Sequence, residues 1–492
     1  MNGDGLQGVA YQEVDEAYFT ARALRPYAGV LSLWAIGVGA VISGHFSGWN
    51  LGLGFGWGSM FAATLVVTVM FAALAFSIAE MAAALPHAGG AYSYARSAMG
   101  PWGGFVAGVA QNIEYTFTAA VVVFFIGIYA VLSGMPGEYQ PLVWIGCYGV
   151  FVGVNLFGAE ASFRIAALIT LTSLGCLVVF LIVAAPNMDF ERWALDIGVS
   201  PEGALMGLPG GGPWFPAGVQ GMLAALPFAL WFFLGVEQIP LAAEEAFDPQ
   251  KDMPRAILAA VATLAASAIA VVTIAPSLPP GSFGLKGSGA PVLEGLRALF
   301  GIASLQALAV IGIAALAASV QSVLYACSRQ IYALSRAGYV PPSLSVVHPT
   351  NRAPQRALVA GAAIGLGAML AVWFGFGPGP GSDIIGSVLF SAAILGAMLS
   401  YAMQAVSFVL LRNEMPLVER PFRSPLGVAG ALIALAIAIV IFSVQIGEPA
   451  FQAGAAVAAG YFALALIYFA AFGRTGLVLS PEEEFALTEG RA

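Results

Sequence analysis

Glu114 and Glu237 are the residues of this chain whose placement demands the most explanation. Each lies in a stretch otherwise apolar enough to cross a membrane: Glu114 within Asn112-Ile113-Glu114-Tyr115, Glu237 within Phe232-Phe233-Leu234-Gly235-Val236-Glu237-Gln238-Ile239-Pro240. A carboxylate there is costly to insert and marks a substrate or ion path by default. Glu114 has three readings: it neutralises an ammonium, carries a proton, or pairs with a neighbour for helix packing. Glu237 has the same readings and one more, pinning an unwound turn by accepting backbone N–H bonds. His45 falls in Ile42-Ser43-Gly44-His45-Phe46-Ser47-Gly48-Trp49-Asn50. Histidine titrates near neutral pH, so it could bond a hydroxyl, relay a proton, or serve as a hydrogen-bonded helix-start residue.

The elements that must position these groups are interrupted. Glycines stand at Gly37, Gly39, Gly44 and Gly48, then at Gly52, Gly54, Gly56 and Gly58. Each weakens a helix by up to about 1 kcal/mol relative to alanine. The first span, 28–57, is therefore expected to break near Ser43-Gly44. In the sixth, 218–246, Gly235 weakens the helix, and Pro240 removes a donor and crowds the carbonyl four residues earlier. Interrupted segments at matching places in two halves point to a transport site at the bilayer midplane. The bland alternative is two kinked but ordinary packed helices.

Composition sets the class. The chain has 492 residues, 60% hydrophobic and 9% charged, with net charge −8, against about 25% charged in soluble domains. This is a polytopic membrane protein. A span needs about 20 apolar residues, and twelve candidates are found: 28–57, 60–85, 102–133, 141–158, 162–185, 218–246, 254–276, 303–334, 355–376, 383–411, 426–446 and 449–472. Placing both termini inside leaves Arg192, Lys286 and Arg297 outside and the rest of the 18 lysines and arginines inside, a strong positive-inside asymmetry. No metal-ligand spacing, nucleophile-and-base motif or basic run occurs. A metal site, an enzyme and a nucleic-acid partner are accordingly not expected, nor is a cofactor. Cys147, Cys176 and Cys327 fall inside spans and imply no disulfide framework. The organisation reads as an N-terminal tail 1–27, a first repeat 28–186, an outer loop 187–217, a second repeat 218–411, accessory spans 412–472 and a C-terminal tail 473–492 containing Glu482, Glu483 and Glu484.

Several stretches resemble the amino acid–polyamine–organocation superfamily, and within it the ethanolamine permease branch. They are Gly37-Val-Gly-Ala-Val-Ile-Ser-Gly44 with Gly48-Trp-Asn50, Phe76-Ser-Ile-Ala-Glu-Met81, Ala84-Leu-Pro-His-Ala-Gly-Gly-Ala-Tyr92, Gly100-Pro-Trp-Gly-Gly-Phe105, Ile113-Glu-Tyr115, Trp231-Phe-Phe-Leu-Gly-Val-Glu237, Pro240-Leu-Ala-Ala-Glu-Glu245, Ser328-Arg-Gln-Ile-Tyr-Ala-Leu-Ser-Arg-Ala-Gly338 and Glu419-Arg-Pro-Phe-Arg423. His45 departs from the branch pattern, which carries an acidic residue after Ser-Gly. The resemblance implies an all-α fold of twelve transmembrane helices, an inverted 5+5 repeat with broken first and sixth helices plus two accessory helices. It also implies alternating-access import of a small organic amine, ethanolamine foremost, across a bacterial inner membrane by a monomer, with an amino-acid permease as the rival reading.

In that frame the opened turns present carbonyls of Ile42, Ser43, Phe232 and Phe233 to an ammonium. Phe233, Trp231, Trp49 and Tyr115 are candidate cation–π faces. His45, beginning the inner half of the first span, fills space that would otherwise expose helix-start N–H groups to a carboxylate, which argues for an amino alcohol. Glu114, Glu237 and His45 are the coupling candidates, with a proton favoured over sodium. Ser319 and Ser322 either complete a sodium site or bond back to their own helix. Glu80, Glu244 and Glu245, with Arg96, Arg329 and Arg336 as partners, are assigned to the cytoplasmic gate.

Overall fold

The structure is a computed structural model that describes residues 8–301, 305–379, 384–479 and 484. Glu482 and Glu483 of the acidic tail, the last eight residues and the first seven lie outside the described residues. In hydrocarbon every backbone polar group needs an internal partner, and the apolar runs meet that demand as helices. They are α1 (Val30–Phe46), α2 (Trp57–Ala84), α3 (Ala91–Leu132), α4 (Gln140–Leu156), α5 (Ala159–Ala184), α6 (Gly218–Ala229), α7 (Pro249–Ile274), α8 (Leu305–Arg336), α9 (Gln355–Phe376), α10 (Phe390–Glu414), α11 (Gly427–Gly447) and α12 (Gln452–Ala471). Among the described residues ten helical segments are long and apolar enough to cross a membrane, eleven with the bent first span. The 17-residue α4, on the fourth expected span, is shorter than these.

Among the described residues four short strands lie outside the spans. β2 (Ile197–Val199) and β3 (Leu205–Gly207) form an antiparallel hairpin in the 187–217 loop. That loop packs on the start of α2: Gly58 N–H donates to the Trp214 carbonyl at 2.9 Å, and the Trp214 ring meets Trp57 edge-on. β1 (Tyr11–Gln12) pairs in parallel with β4 (Leu477–Val478), so the two ends of the chain meet at one end of the molecule. An odd number of crossings would separate them, and the pairing therefore fits an even count with α4 as a crossing.

Of the ten unbent spans among the described residues α3 is the most enclosed and α12 the least. α3 packs along α8 and α10, and α1 is surrounded by α5, α7 and α8. Glu114 and Glu237 are themselves buried in the bundle. α3 also bends where Gly100, at φ 75°, precedes Pro101.

Both expected interruptions are present, but the first is displaced. α1 continues as α-helix through Ser43-Gly44 to Phe46, turns at Gly48 (φ 95°), bends by 44° and resumes as the 3-10 segment Trp49–Phe55. Gly44 is a packing notch rather than a break, because the Trp231 carbonyl lies against its Cα where a Cβ would collide. In the sixth span α6 passes into the 3-10 turn Leu230–Phe232, the backbone takes a left-handed step at Gly235 (φ 106°), and a second 3-10 segment, Val236–Glu245, follows. Positive φ is accessible to glycine at little cost, which explains why the breaks fall on Gly48 and Gly235.

Gly44→Ala should press the two broken spans apart and destabilise the fold by about 1–3 kcal/mol, read as a lower melting temperature in detergent. Gly146→Ala, on α4 with nothing within 4 Å of the added carbon, should leave melting unchanged or slightly raised. Equal behaviour of the two variants would refute the notch.

Candidate functional site

The left-handed step at Gly235 leaves Glu237 facing α3, where it meets Tyr115. Glu237 Oε2 accepts the Gly235 N–H at 3.1 Å, and Oε1 accepts the Tyr115 hydroxyl at 3.1 Å. The Tyr401 hydroxyl of α10 lies 2.8 Å from Glu237 Oε2 and 2.8 Å from Glu114 Oε1. The two carboxyl groups thus share the Tyr401 hydroxyl as a common neighbour. Gln111, one turn before Tyr115, donates to its hydroxyl at 3.0 Å. Glu114 and Glu237 are essentially without solvent exposure. Among the described residues no lysine or arginine pairs with either, and Glu114 Oε2 has no donor.

Charge balance follows from this geometry. One hydroxyl carries one proton, so Tyr401 can donate to only one of its two carboxyl neighbours at a time. Two ionised carboxylates bridged by one hydroxyl inside a low-dielectric bundle are heavily penalised. A single positive charge, whether a proton or a small cation, relieves the repulsion. Glu237 both pins the unwound turn and faces Glu114. Tyr401 and Gln111 were not legible as members of this group. Their one sequence signal is polarity in the middle of an apolar span, and many packed tyrosines share it.

The first span supplies less to this site than its sequence suggests. Ile42 and Ser43 lie inside continuous α-helix, so their carbonyls are not freed: Ser43 O accepts the Ser47 N–H at 3.0 Å. The carbonyls at the true break are already taken, His45 O by the Trp49 indole (3.2 Å) and Phe46 O by the Tyr129 hydroxyl (3.1 Å). Phe233 O accepts the Val236 N–H at 3.2 Å. His45 is in the last turn of a helix, not at the start of one. Its Nε2 lies 2.8 Å from Ser267 Oγ of α7 and its ring meets Phe232 edge-on, so it is bonded to α7 rather than to the carboxyl pair. Trp49 stacks on Phe232, and Phe233 on Phe71.

The N–H groups around both breaks are likewise engaged. Ser43 N–H donates to Ser319 Oγ, Gly48 N–H to Asn50 Oδ1, Leu234 N–H to the Leu230 carbonyl and Gly235 N–H to Glu237. Ser319 also donates to the Gly39 carbonyl at 2.7 Å. It therefore bonds α1 rather than its own helix. Ser322 Oγ is buried beside Gly39 with no partner among the described residues. A narrow gap remains between the breaks, lined by Ala40, Val41, Ser43, Gly44, Thr118, Trp231 and Leu234.

At the end carrying both termini, buried ion pairs join the sixth span to α8. Arg329 holds Glu245 with two bonds, 2.7 and 3.1 Å, and the Tyr325 hydroxyl joins them. Arg336 holds Glu244 at 2.7 and 2.9 Å. Glu80 takes neither of these arginines nor Arg96. It is bound by Arg412 at 2.7 and 2.9 Å, by Arg420 at 3.1 Å and by the Ser424 N–H at 2.7 Å. Arg96 instead donates to the Val478 carbonyl and the Tyr92 hydroxyl. Removing one member of a buried pair strands the other charge, at a penalty of about 3–5 kcal/mol. Arg329→Met should therefore lower melting strongly, and Arg329→Met with Glu245→Gln should recover much of the loss. A double variant no more stable than the single one would contradict a charge-pair role.

Residues 32–477 match the family described as amino acid permease. The chain is similar to an uncharacterized transporter of Rhizobium meliloti (strain 1021), 28% identical over 408 residues that cover 81% of this chain and 82% of that one. It is similar to the branched-chain amino acid permease of Bacillus subtilis (strain 168), 25% identical with 86% and 89% covered. It is also similar to the methylthioribose transporter of the same organism, 24% identical with 84% and 87% covered. A carboxyl pair enclosed where a broken span meets two packed helices, in a chain matched over nearly its whole length, leads to one conclusion: this chain belongs to the amino acid permease family, and it is a membrane transporter rather than an enzyme.

Proposed function

We propose that the chain is a secondary active transporter that imports a small organic amine of the ethanolamine type by alternating access, coupled to protons. The observation that carries this reading is the Glu114–Tyr401–Glu237 cluster. It presents two buried carboxyls and neutral partners, which suits one monovalent cation. The ammonium would take the place between Glu114 and Glu237, with Tyr401 and Tyr115 orienting the carboxyl oxygens. When no amine is bound, a proton serves as the neutralising charge, which is the basis for preferring proton coupling over sodium. Ser322, beside Gly39, keeps sodium as a competing coupling ion.

The state of the backbone at the breaks favours an amine over an amino acid. A substrate carboxylate needs donors, and helix N-termini are their usual source. Here the N–H groups of Ser43, Gly48, Leu234 and Gly235 already have partners. The argument from His45 does not survive its bonding to α7, but these backbone bonds support the same preference independently. The amino-acid reading is supported by the family description and by the branched-chain amino acid permease relative. In our reading both termini face the cytoplasm of a bacterial inner membrane. The Glu245–Arg329 and Glu244–Arg336 pairs then close the inner gate, and the protein acts as a monomer within the bilayer.

Glu114→Gln keeps the size of the side chain and removes one charge of the pair. Reconstituted into liposomes, this variant should fold with a normal elution profile yet lose at least about tenfold in ethanolamine uptake. Its remaining uptake should no longer respond to an imposed pH gradient. Uptake and pH response equal to those of the unaltered protein would refute the assignment.

A further inference from the structure

Two polar side chains stand out because they lack what their counterparts have. Threonines inside these spans bond back to the carbonyl four residues earlier, as Thr64, Thr68 and Thr263 do. Thr118 of α3 does not: its Oγ1 is buried and has no partner among the described residues. Tryptophans Trp34, Trp49 and Trp57 each donate their indole N–H. Trp231 does not, nor does Trp144 of α4, although both are buried. Buried polar groups are overwhelmingly paired, and an exception calls for a specific cause. Thr118 and Trp231 line the same gap, the one bounded by Ser43 and Gly44 on the first span and by Trp231 on the sixth.

The placement relative to the carboxyl pair is fixed by helix geometry. Thr118 follows Glu114 by four residues on α3, so the two share a face about 6 Å apart along the axis. The Trp231 indole packs by its face on Phe390, with ring centroids 4.6 Å apart. Its Nε1 edge lies against Gly48, where an added Cβ would stand 2.9 Å from it. The sequence reading of Trp231 as a cation–π platform therefore gives way to one in which its edge is the working part.

We propose that Thr118 Oγ1 and Trp231 Nε1–H form a second, neutral subsite that receives one hydrogen-bond acceptor of the substrate, a hydroxyl or ether oxygen a short spacer away from its ammonium. This rests on the carboxyl pair being the ammonium site. Both groups can donate and neither carries charge, so the subsite matches an uncharged oxygen on a short spacer. An amino alcohol has that form. A plain alkylamine would leave both donors unpaired, and a site built around a hydroxyl discriminates strongly against the analogue lacking it.

The test compares ethanolamine with n-propylamine and ethylamine, by calorimetric titration of the purified full chain. The unaltered protein should bind ethanolamine at least about tenfold more tightly than either alkylamine. In Thr118→Val and Trp231→Phe the ratio of affinities should fall toward one. Equal affinities in the unaltered protein, or variants that leave the ratio intact, overturn the acceptor subsite alone. Absence of binding by all three amines overturns the amine site itself, and the subsite with it. The comparison within the unaltered protein stands even where a variant fails to fold.

Discussion

Two buried carboxyl groups share one tyrosine hydroxyl in the interior of the bundle, and the organisation of the protein around them follows from the charge they lack. Glu114 comes from the most enclosed helix and Glu237 from the unwound part of the sixth span. Water, which would screen them, is excluded, and their recorded partners are neutral. The cluster is therefore a place that a single positive charge completes. That requirement accounts for the left-handed step at Gly235, which leaves Glu237 facing α3, and for the tyrosine from α10 that reaches between two acids.

The end of the molecule that carries both termini follows the opposite rule. There each carboxylate has its own guanidinium: Glu245 with Arg329, Glu244 with Arg336, Glu80 with Arg412 and Arg420. Bidentate guanidinium–carboxylate pairs are directional as well as attractive, and they lock the sixth span to α8 and α2 to α10. The terminal segments reinforce this closure. Tyr27 and Ala28 N–H donate to the Glu245 carbonyl, the Tyr18 hydroxyl donates to Arg336 O, and Val478 N–H donates to Ala337 O. One set of acids is fully paired and holds structure; the other is left one positive charge short. The contrast separates acids that hold structure from acids that lack a countercharge without reference to any relative.

The sequence made the spans legible because hydrocarbon imposes one rule on every crossing, and apolar length reports it. The sixth-span break was legible for a local reason, since Gly235 is the residue that can take a positive φ there. The first break was not. Several glycines cluster in that span, and which one bends depends on what packs against each. Gly44 faces the Trp231 carbonyl and must stay small, whereas Gly48 takes the positive φ. The carboxyls were found because charge inside an apolar span is rare. Tyr401 was not, being one tyrosine among 15. Glu80 drew the wrong partners because Arg412 and Arg420 reach it from the far end of the chain, and no spacing rule connects them.

A thermal-shift panel on purified protein bears most directly on the proposed cation site. It would set ethanolamine and choline against alanine, leucine, arginine and a polyamine. A ligand at 100 times its dissociation constant stabilises the native state by about 2.7 kcal/mol, which is readily measured. The charge-deficient carboxyl pair predicts a shift with ethanolamine and none with alanine or leucine. A shift with the neutral amino acids and none with ethanolamine would contradict it, and would require the substrate carboxylate to find donors that this arrangement of the breaks has already engaged.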